Sequence, residues 1–454
     1  MPVYLLFDVG STYTKGCVVD TDKEEILATA SVFTTAETDI SFGIESAKKQ
    51  MKKALDEVSI AKTLVCSSAK GGLKMVAIGL VPDLTLKAAT LACFSAGAKV
   101  IRSYAFELND TEIRQIEDSG CDILLLCGGT DGGNFEVVLH NAKKIAGIMR
   151  KFPIIYAGNK SCQDEIKQIL TEGGFECSLC QNVMPSYGIL EVDECRQQIR
   201  TLFLNHIVKA KGLSKLTSTI EEIVLPTPYS VLEALTLLSK GTKHEAGMGD
   251  LMAIDIGGAT TDVYSINAKF EIESNVGYKG LHEPLEKRSV EGDLGVRFNA
   301  QSVYELKRDS FDEDPELTVY IDAFDTDITH EPNESYDTLL AKWCAEIACR
   351  RHAGRLETAY TPMGVSYYQQ GKDLRETSIL IGIGGPILHA QHPESILSQA
   401  LSSAEVSEIL LPRRLDYYLD RAYIISCLGL LASRHPDQIL RMMKKSLENI
   451  NHDQ

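Results

Sequence analysis

The stretch LLFDVGSTYTKGCVVD, Leu5 to Asp20, decides how the rest of the chain is read. An apolar run from Val3 to Phe7 predicts a buried strand. It ends at Asp8, turns through Gly10, Ser11 and Thr12, passes Thr14 and Lys15, and becomes a second strand over Gly16–Val19. A turn of small residues lets backbone N–H groups and hydroxyls close around phosphate oxygens, because no bulky side chain holds the anion away. Asp8 at its mouth would hold Mg2+ through water, and Lys15 would offer a point charge to a phosphate.

The same plan returns 247 residues later in LMAIDIGGATTDVYSI, Leu251 to Ile266. An apolar strand reaches Asp255, turns through Gly257, Gly258, Ala259, Thr260 and Thr261, and continues past Asp262 into another β-rich run. A third turn, in SILIGIGGPILHA, places Gly382, Gly384, Gly385 and Pro386 after the apolar run Ser378–Ile381. One glycine turn between strands says little. Two Asp-led turns followed by a strand–Gly-Gly–helix turn, in this order, describe a two-lobed ATP clamp with Asp8 and Asp255 at the metal.

The loop EGDLGVR, Glu291 to Arg297, follows the second hairpin. Glu291 and Asp293 can order Mg2+ or the attacking water, with Arg297 on a phosphate. Equally, Asp293 can cap the next helix while Glu291 pairs with Arg297. Asp8, Asp255, Asp262, Glu291 and Asp293 are therefore the catalytic candidates, and no single hydrolytic base stands out.

Composition sets the outer bounds. A chain of 454 residues suits roughly two to four domains. A formal charge of −17 argues against nucleic acid and anionic membranes as partners. No apolar run approaches the ~20 residues that span a bilayer. The opening MPVYLLFDVG has no basic segment and already carries a strand, so it does not read as a signal peptide, and a cytoplasmic protein is expected. The 12 cysteines are scattered, and in a reducing compartment they serve as core-filling thiols. The one CxxC, Cys177 and Cys180, lacks a second ligand pair at zinc spacing.

The three turns resemble, in order, the first phosphate loop, second phosphate loop and adenosine loop of the acetate and sugar kinase/Hsp70/actin superfamily. SSAKGGLKMVAIGLVPDLT (Ser67–Thr85), LCGGTDGGN (Leu126–Asn134), EGDLGVR, YTPMG (Tyr360–Gly364) and GKDL (Gly371–Leu374) narrow this further. They resemble the MutL-like (GlmL-type) proteins associated with glutamate mutase, which are unrelated to the mismatch-repair protein of similar name. The resemblance runs over nearly the whole chain. It implies an α/β fold, a two-lobed actin/Hsp70-like clamp built from a duplicated ribonuclease H-like unit. It also implies ATP and Mg2+ as cofactors, with the residues of the three turns around the nucleotide. The implied role is an ATP-driven accessory or reactivating chaperone whose partners are subunits of an adenosylcobalamin-dependent mutase. A homodimer is left open.

In chain order, residues 1–82 read as the first lobe, with a turn Ser67–Gly72 that can face a ligand or be purely structural. Residues 83–213 alternate helix, strand and glycine turn, the pattern of a doubly wound parallel βα domain inserted into the clamp and separate from it. GGTDGGN lies at a strand's carboxyl end, where such sheets bind ligands. Asp131 and its four glycines there suggest a second site or a docking surface, against the simpler reading of a well-formed turn. Residues 214–249 form a connector with a turn PTPYS, a helix Val231–Leu238 and a flexible SKGTKHEAGMGD. The second lobe takes 250–411, with Lys307–Glu334 as a solvated acidic loop. Residues 412–454 carry an apolar helix Tyr417–Ser433 and an amphipathic end that pack back on the first lobe.

Three other classes remain open. A small-molecule (sugar or carboxylate) kinase would turn over ATP in response to a metabolite. A hydroxyacyl-CoA dehydratase activator would carry iron, and a filament-forming actin relative would sediment with ATP.

Overall fold

Seven consecutive buried residues make Val3–Val9 a strand covered on both faces (β1), which belongs in the middle of a sheet. β2 (Tyr13–Asp20) pairs with it antiparallel and β3 (Glu25–Phe33) extends the meander. β4 (Ile60–Ser67) runs parallel along its other edge. The structure, a computed structural model, describes residues 2–10, 13–33, 40–68, 73–203, 222–268, 276–308, 314–324, 327, 330–361, 364–402 and 408–451. It divides into two units: Met1–Glu233 with Gly280–Pro284 and Ser426–Ser433, and Ala234–Lys279 with Leu285–Ile425 and Arg434–Gln454.

In the first unit the chain leaves the sheet after β4. β5 (Lys74–Gly79), β6 (Lys99–Ala105), β7 (Ile123–Leu126), β8 (Ile154–Tyr156) and β9 (Cys177–Leu179) build a second sheet, all parallel, in the order β6-β5-β7-β8-β9. This is the flavodoxin-like doubly wound order. β10 (Glu222–Pro226) then returns to lie parallel to β4, completing β10-β4-β1-β2-β3. The insertion therefore begins at β5, ahead of residue 83, and occupies the crossover between the fourth and fifth strands of the first sheet. It is not separate from the first lobe. Met75, Ala77, Ile123 and Leu125 share one buried core with Leu5, Phe7 and Val18, while Val76, Ile78, Leu124 and Leu126 face a second core under the outer helices. At ~1.5–3 kcal/mol for each large apolar side chain buried, that shared core holds the insert and the first sheet as one body.

In the second unit β11 (Leu251–Ile256), β12 (Thr261–Ile266), β14 (Glu286–Glu291), β17 (Ile379–Ile383), β18 (Asp416–Leu419) and β19 (Glu448–Asn449) form the order β14-β12-β11-β17-β18-β19. β13 (Val276–Tyr278), β15 (Arg355–Thr361) and β16 (Gly364–Gln370) make a small separate sheet. Each unit thus holds an antiparallel three-stranded meander continued by two parallel strands from its first strand. This is the ribonuclease H-like sheet, present twice.

Several expectations change. PTPYS is the end of β10 and the start of the helix Thr227–Lys240, not a free turn. SKGTKHEAGMGD is a bonded hairpin: Gly241 bridges Ala246, Thr242 Oγ1 accepts from His244 N and Glu245 N, and Met248 N donates to Leu238 O. The acidic stretch contains the helix Pro315–Ala323, capped by Asp314. Of the C-terminal segment, Ser426–Ser433 joins the first unit, whereas the helix Pro436–Ser446 belongs to the second. The expected helix Tyr417–Ser433 is instead β18 and a short helix, Ile425–Gly429.

The helix Glu334–His352 ends in a buried polar knot. His352 lies between the hydroxyls of Ser265 (2.8 Å) and Ser289 (2.7 Å), with Lys287 donating to its carbonyl at 2.5 Å. Burial pushes the His352 imidazole well below its usual value, and the charges of Lys287 and Lys372 add to this. The folded state therefore binds fewer protons here than the unfolded chain once pH falls below about 6.5, and stability drops with acidification, by up to ~1.4 kcal/mol per pH unit. A His352→Asn variant should flatten the melting temperature against pH between pH 7 and pH 5. An unchanged slope would remove His352 as its source.

Candidate functional site

The two Asp-led hairpins close identically. Gly10 N donates to Tyr13 O and Gly257 N to Thr260 O, both at 2.9 Å. Asp8 sits across the ladder from Lys15, and Asp255 across from Asp262. Ser11 and Thr12 lie outside the described residues. Thr14 and Thr261 are fully buried behind the turns: Gly43 leaves room only for the Thr14 hydroxyl, and Thr261 Oγ1 donates to Leu294 O at 3.0 Å.

The end of EGDLGVR and the two residues after it brace the second turn. Val296 N donates to Gly257 O (3.2 Å), Arg297 N and Phe298 N to Gly258 O (2.9 and 2.8 Å), and Asn299 Nδ2 to Ala259 O (2.5 Å). Trans peptides point C=O and N–H oppositely. Drawing those carbonyls to one side turns the N–H groups of Gly258, Ala259 and Thr260 to the other, where they suit an anion. Gly295 permits the approach, since a Cβ there would lie 2.5 Å from Ala259 C and 2.6 Å from Gly258 O.

The acidic candidates have other partners. Asp262 is held by Arg288 (Nη2 2.7 Å, Nε 2.9 Å). Glu291 and Asp293 both take Arg351, at 2.7 and 2.9 Å, and not Arg297. Burial raises the Glu291 carboxyl above its usual range, against the lowering pull of Arg351. Arg297 makes a two-pronged pair with Asp337, which also accepts from the Tyr320 hydroxyl at 2.8 Å. Asn299, not Asp293, precedes the helix Ala300–Lys307.

Asp8 is 4% exposed and its carboxylate is embraced by three chain segments. Oδ1 accepts from Thr227 Oγ1 at 2.5 Å and from Cys66 Sγ at 3.6 Å, and Oδ2 accepts from Ser426 Oγ at 2.8 Å. Sequence reasoning missed Thr227, Ser426 and Cys66. The glycine turn Gly382–Pro386 packs directly on the second hairpin. Gly384 has φ +92°, and a Cβ on it would lie 2.2 Å from Ile256 O and 2.7 Å from Asp255 Oδ1. Gly385 looks instead into space bordered by Tyr423 Oη (3.6 Å) and His389 (3.7 Å), which bond to each other at 3.1 Å. Pro386 takes the first turn of the following helix, where its missing N–H costs nothing, and Gly382 is wedged against Ile387 and Leu419.

These features suit a nucleotide. The space beside Gly385 has the room a base or ribose edge would need, and the N–H groups of the second turn are the donors a phosphate would need. Among the described residues no three His, Cys, Asp or Glu side chains form a metal cage. Mg2+ rarely uses one: it is usually carried on phosphate oxygens and waters, with one or two carboxylates. Asp8, with one of its roughly four acceptor directions still open, fits that outer role.

The family described as MutL protein matches residues 4–447. The chain belongs to the MutL family. Protein MutL of Clostridium tetanomorphum is 44% identical over 462 residues, covering 99% of this chain and all of that protein. Among solved structures, acetone carboxylase in its nucleotide-free form aligns over 95% of this chain and 70% of its own, at 12% identity and TM-score 0.37. Gluconate kinase from Lactobacillus acidophilus aligns over 99% and 93%, at 10% and 0.35. Membership of the MutL family rests on the first two of these findings, and the fold on the strand orders above. No helix of the described residues is long and apolar enough to cross a membrane.

In the insert, GGTDGGN is stitched to its neighbours. Asp131 Oδ1 accepts from Lys160 N and Asn182 Nδ2, both at 3.0 Å, and Asn159 bonds Gly132 N (3.1 Å) and Gly133 O (3.0 Å). Gly129 and Gly132 carry positive φ. Asp131 therefore ties together the loops after β7, β8 and β9. Asp131→Ala should cost about 1 kcal/mol in denaturant unfolding, because Lys160 N can turn to water and Asn182 Nδ2 keeps its bond to Gly129 O. ATP hydrolysis per folded molecule should not change; its loss would place the loop at the nucleotide.

Proposed function

We propose that the protein is a Mg2+-dependent ATPase that acts as an accessory, reactivating chaperone for an adenosylcobalamin-dependent amino-acid mutase of the glutamate mutase type. The observation that carries the nucleotide half is the pair of Asp-led turns with the same closing bond, the second packed against the glycine turn at Gly384. The MutL family supports the mutase half, and the inserted βα domain is the element we assign to partner contact. When bound, Mg2+ would offset the charge of the phosphates.

Asp262, Glu291 and Asp293 are each held by an arginine, Asp262 by Arg288 and the other two by Arg351, and that pairing must break before any of them can take a proton from an acceptor hydroxyl. That favours slow hydrolysis coupled to opening and closing over rapid transfer to a metabolite. The test is ATP turnover by the purified protein, alone and with a mutase inactivated by its own turnover. Mutase-stimulated hydrolysis, with recovery of mutase activity when ATP and fresh cofactor are added, is the expected result. Stimulation by a sugar or carboxylate instead, with no recovery, would replace this reading by a kinase.

A further inference from the structure

The carboxylate at Asp8 is more constrained than a metal-proximal aspartate needs to be for folding alone. Its donors come from β4 (Cys66), from the first residue of the helix Thr227–Lys240, and from Ser426 in the helix Ile425–Gly429. Those two helices are bolted together beside it. Ser230 Oγ donates to Ser426 O at 2.6 Å, and Gly429 packs so closely that a Cβ would lie 2.0 Å from Ser230 O. Ser230, Ser426 and Thr227 are buried. Burial, reinforced by the Asp8 charge, pushes the Cys66 thiol well up, so it stays protonated and donates. A carboxylate has about four acceptor directions; the hydroxyls of Thr227 and Ser426 fill two, and the Cys66 thiol, whose one hydrogen is shared with Ser426 O at 3.7 Å, lies against a third.

We infer that Ser426 and Thr227 are positioning residues: they fix the rotation of the Asp8 carboxylate so that its remaining acceptor direction meets a magnesium-bound water. This rests on the nucleotide reading above and goes beyond it in assigning two residues from the connecting helices to metal recognition. A merely structural pair would, when removed, weaken nucleotide binding equally with and without metal. A positioning pair weakens only the part of the affinity that Mg2+ adds.

The experiment is calorimetric binding of ATP to the full chain, in Mg2+ and in EDTA, for wild type, Ser426→Ala, Ser426→Thr and Thr227→Val. Loss of one hydrogen bond to a charged group corresponds to about a tenfold change. Ser426→Ala should lower the Mg2+ enhancement of affinity by about that factor while leaving binding in EDTA within about twofold. Ser426→Thr, which keeps the hydroxyl, should restore the enhancement. Thr227→Val, isosteric and independent of Ser426, should reproduce the loss, and it decides the matter if Ser426→Ala does not fold. An unchanged Mg2+ enhancement in the alanine and valine variants, or equal losses in both buffers, would overturn the positioning role alone. Wild type that binds ATP in neither buffer would overturn the nucleotide reading and this inference with it.

Discussion

Asp8→Asn is expected to lower Mg2+-dependent ATP hydrolysis by ~10²-fold or more, since it removes a full charge where the phosphate–metal group must be stabilised. The shape of the side chain is kept. The amide oxygen can still accept from Thr227, and the amide nitrogen can donate to the Ser426 hydroxyl, which has a free lone pair to receive it. The melting temperature should therefore move by only a few degrees, the effect of ~1 kcal/mol. Asp255→Asn should lose hydrolysis to a similar extent, because it heads the matching turn. Phosphate release and thermal unfolding on the same preparations test this. Wild-type turnover in Asp8→Asn would dismiss the hairpin as the metal-proximal element.

The second large effect separates two adjacent glycines. Gly384 has φ +92° and no room for a Cβ beside Ile256 O and Asp255 Oδ1. Gly384→Ala combines backbone strain of ~1–3 kcal/mol with overpacking of a similar size. It should lower stability by several kcal/mol and displace the second hairpin. Gly385 has a conventional φ and ordinary contact distances, so Gly385→Ala should fold normally. If the space it faces receives the nucleoside, affinity for ATP should fall while the melting temperature holds. Equal stability losses in the two variants would contradict the geometry. Unchanged ATP affinity in Gly385→Ala would move the nucleoside elsewhere.

The hairpins were legible because they are local: strand, small-residue turn and strand lie within a few residues of one another. The alternating texture of the insert was legible for the same reason. Its first strand was overlooked because KMVAIG follows a glycine-rich turn and precedes Pro82, which reads as a boundary. The partners of the acids were not legible. Arg288 reaches Asp262 because β14 happens to lie beside β12, and Arg351 reaches Glu291 and Asp293 from the end of a helix some 60 residues on. Spacing along the chain says nothing about such pairs. Thr227 and Ser426 are the extreme case: they stand 219 and 418 residues from Asp8, in segments that read as a turn and an apolar helix. Conversely, Gly129 and Gly295 stand in motifs that the sequence singles out, and each makes a close backbone contact within the fold.

That last pairing has a bearing on how the chain comes into being. Asp8 is synthesised 418 residues ahead of its Ser426 donor. The parallel ladder between β4 and β10 must likewise wait until the whole insert has been made. Domains tend to fold as they appear, N-terminal parts first. Here the insert can form its own sheet early, bringing the ends of a long excursion together and lowering the entropic cost of closing it. The N-terminal hairpin has no such option. Its aspartate cannot meet its Ser426 donor until that distant residue has been made. The first lobe of a nascent chain therefore stays unfinished until Ser426 has been added.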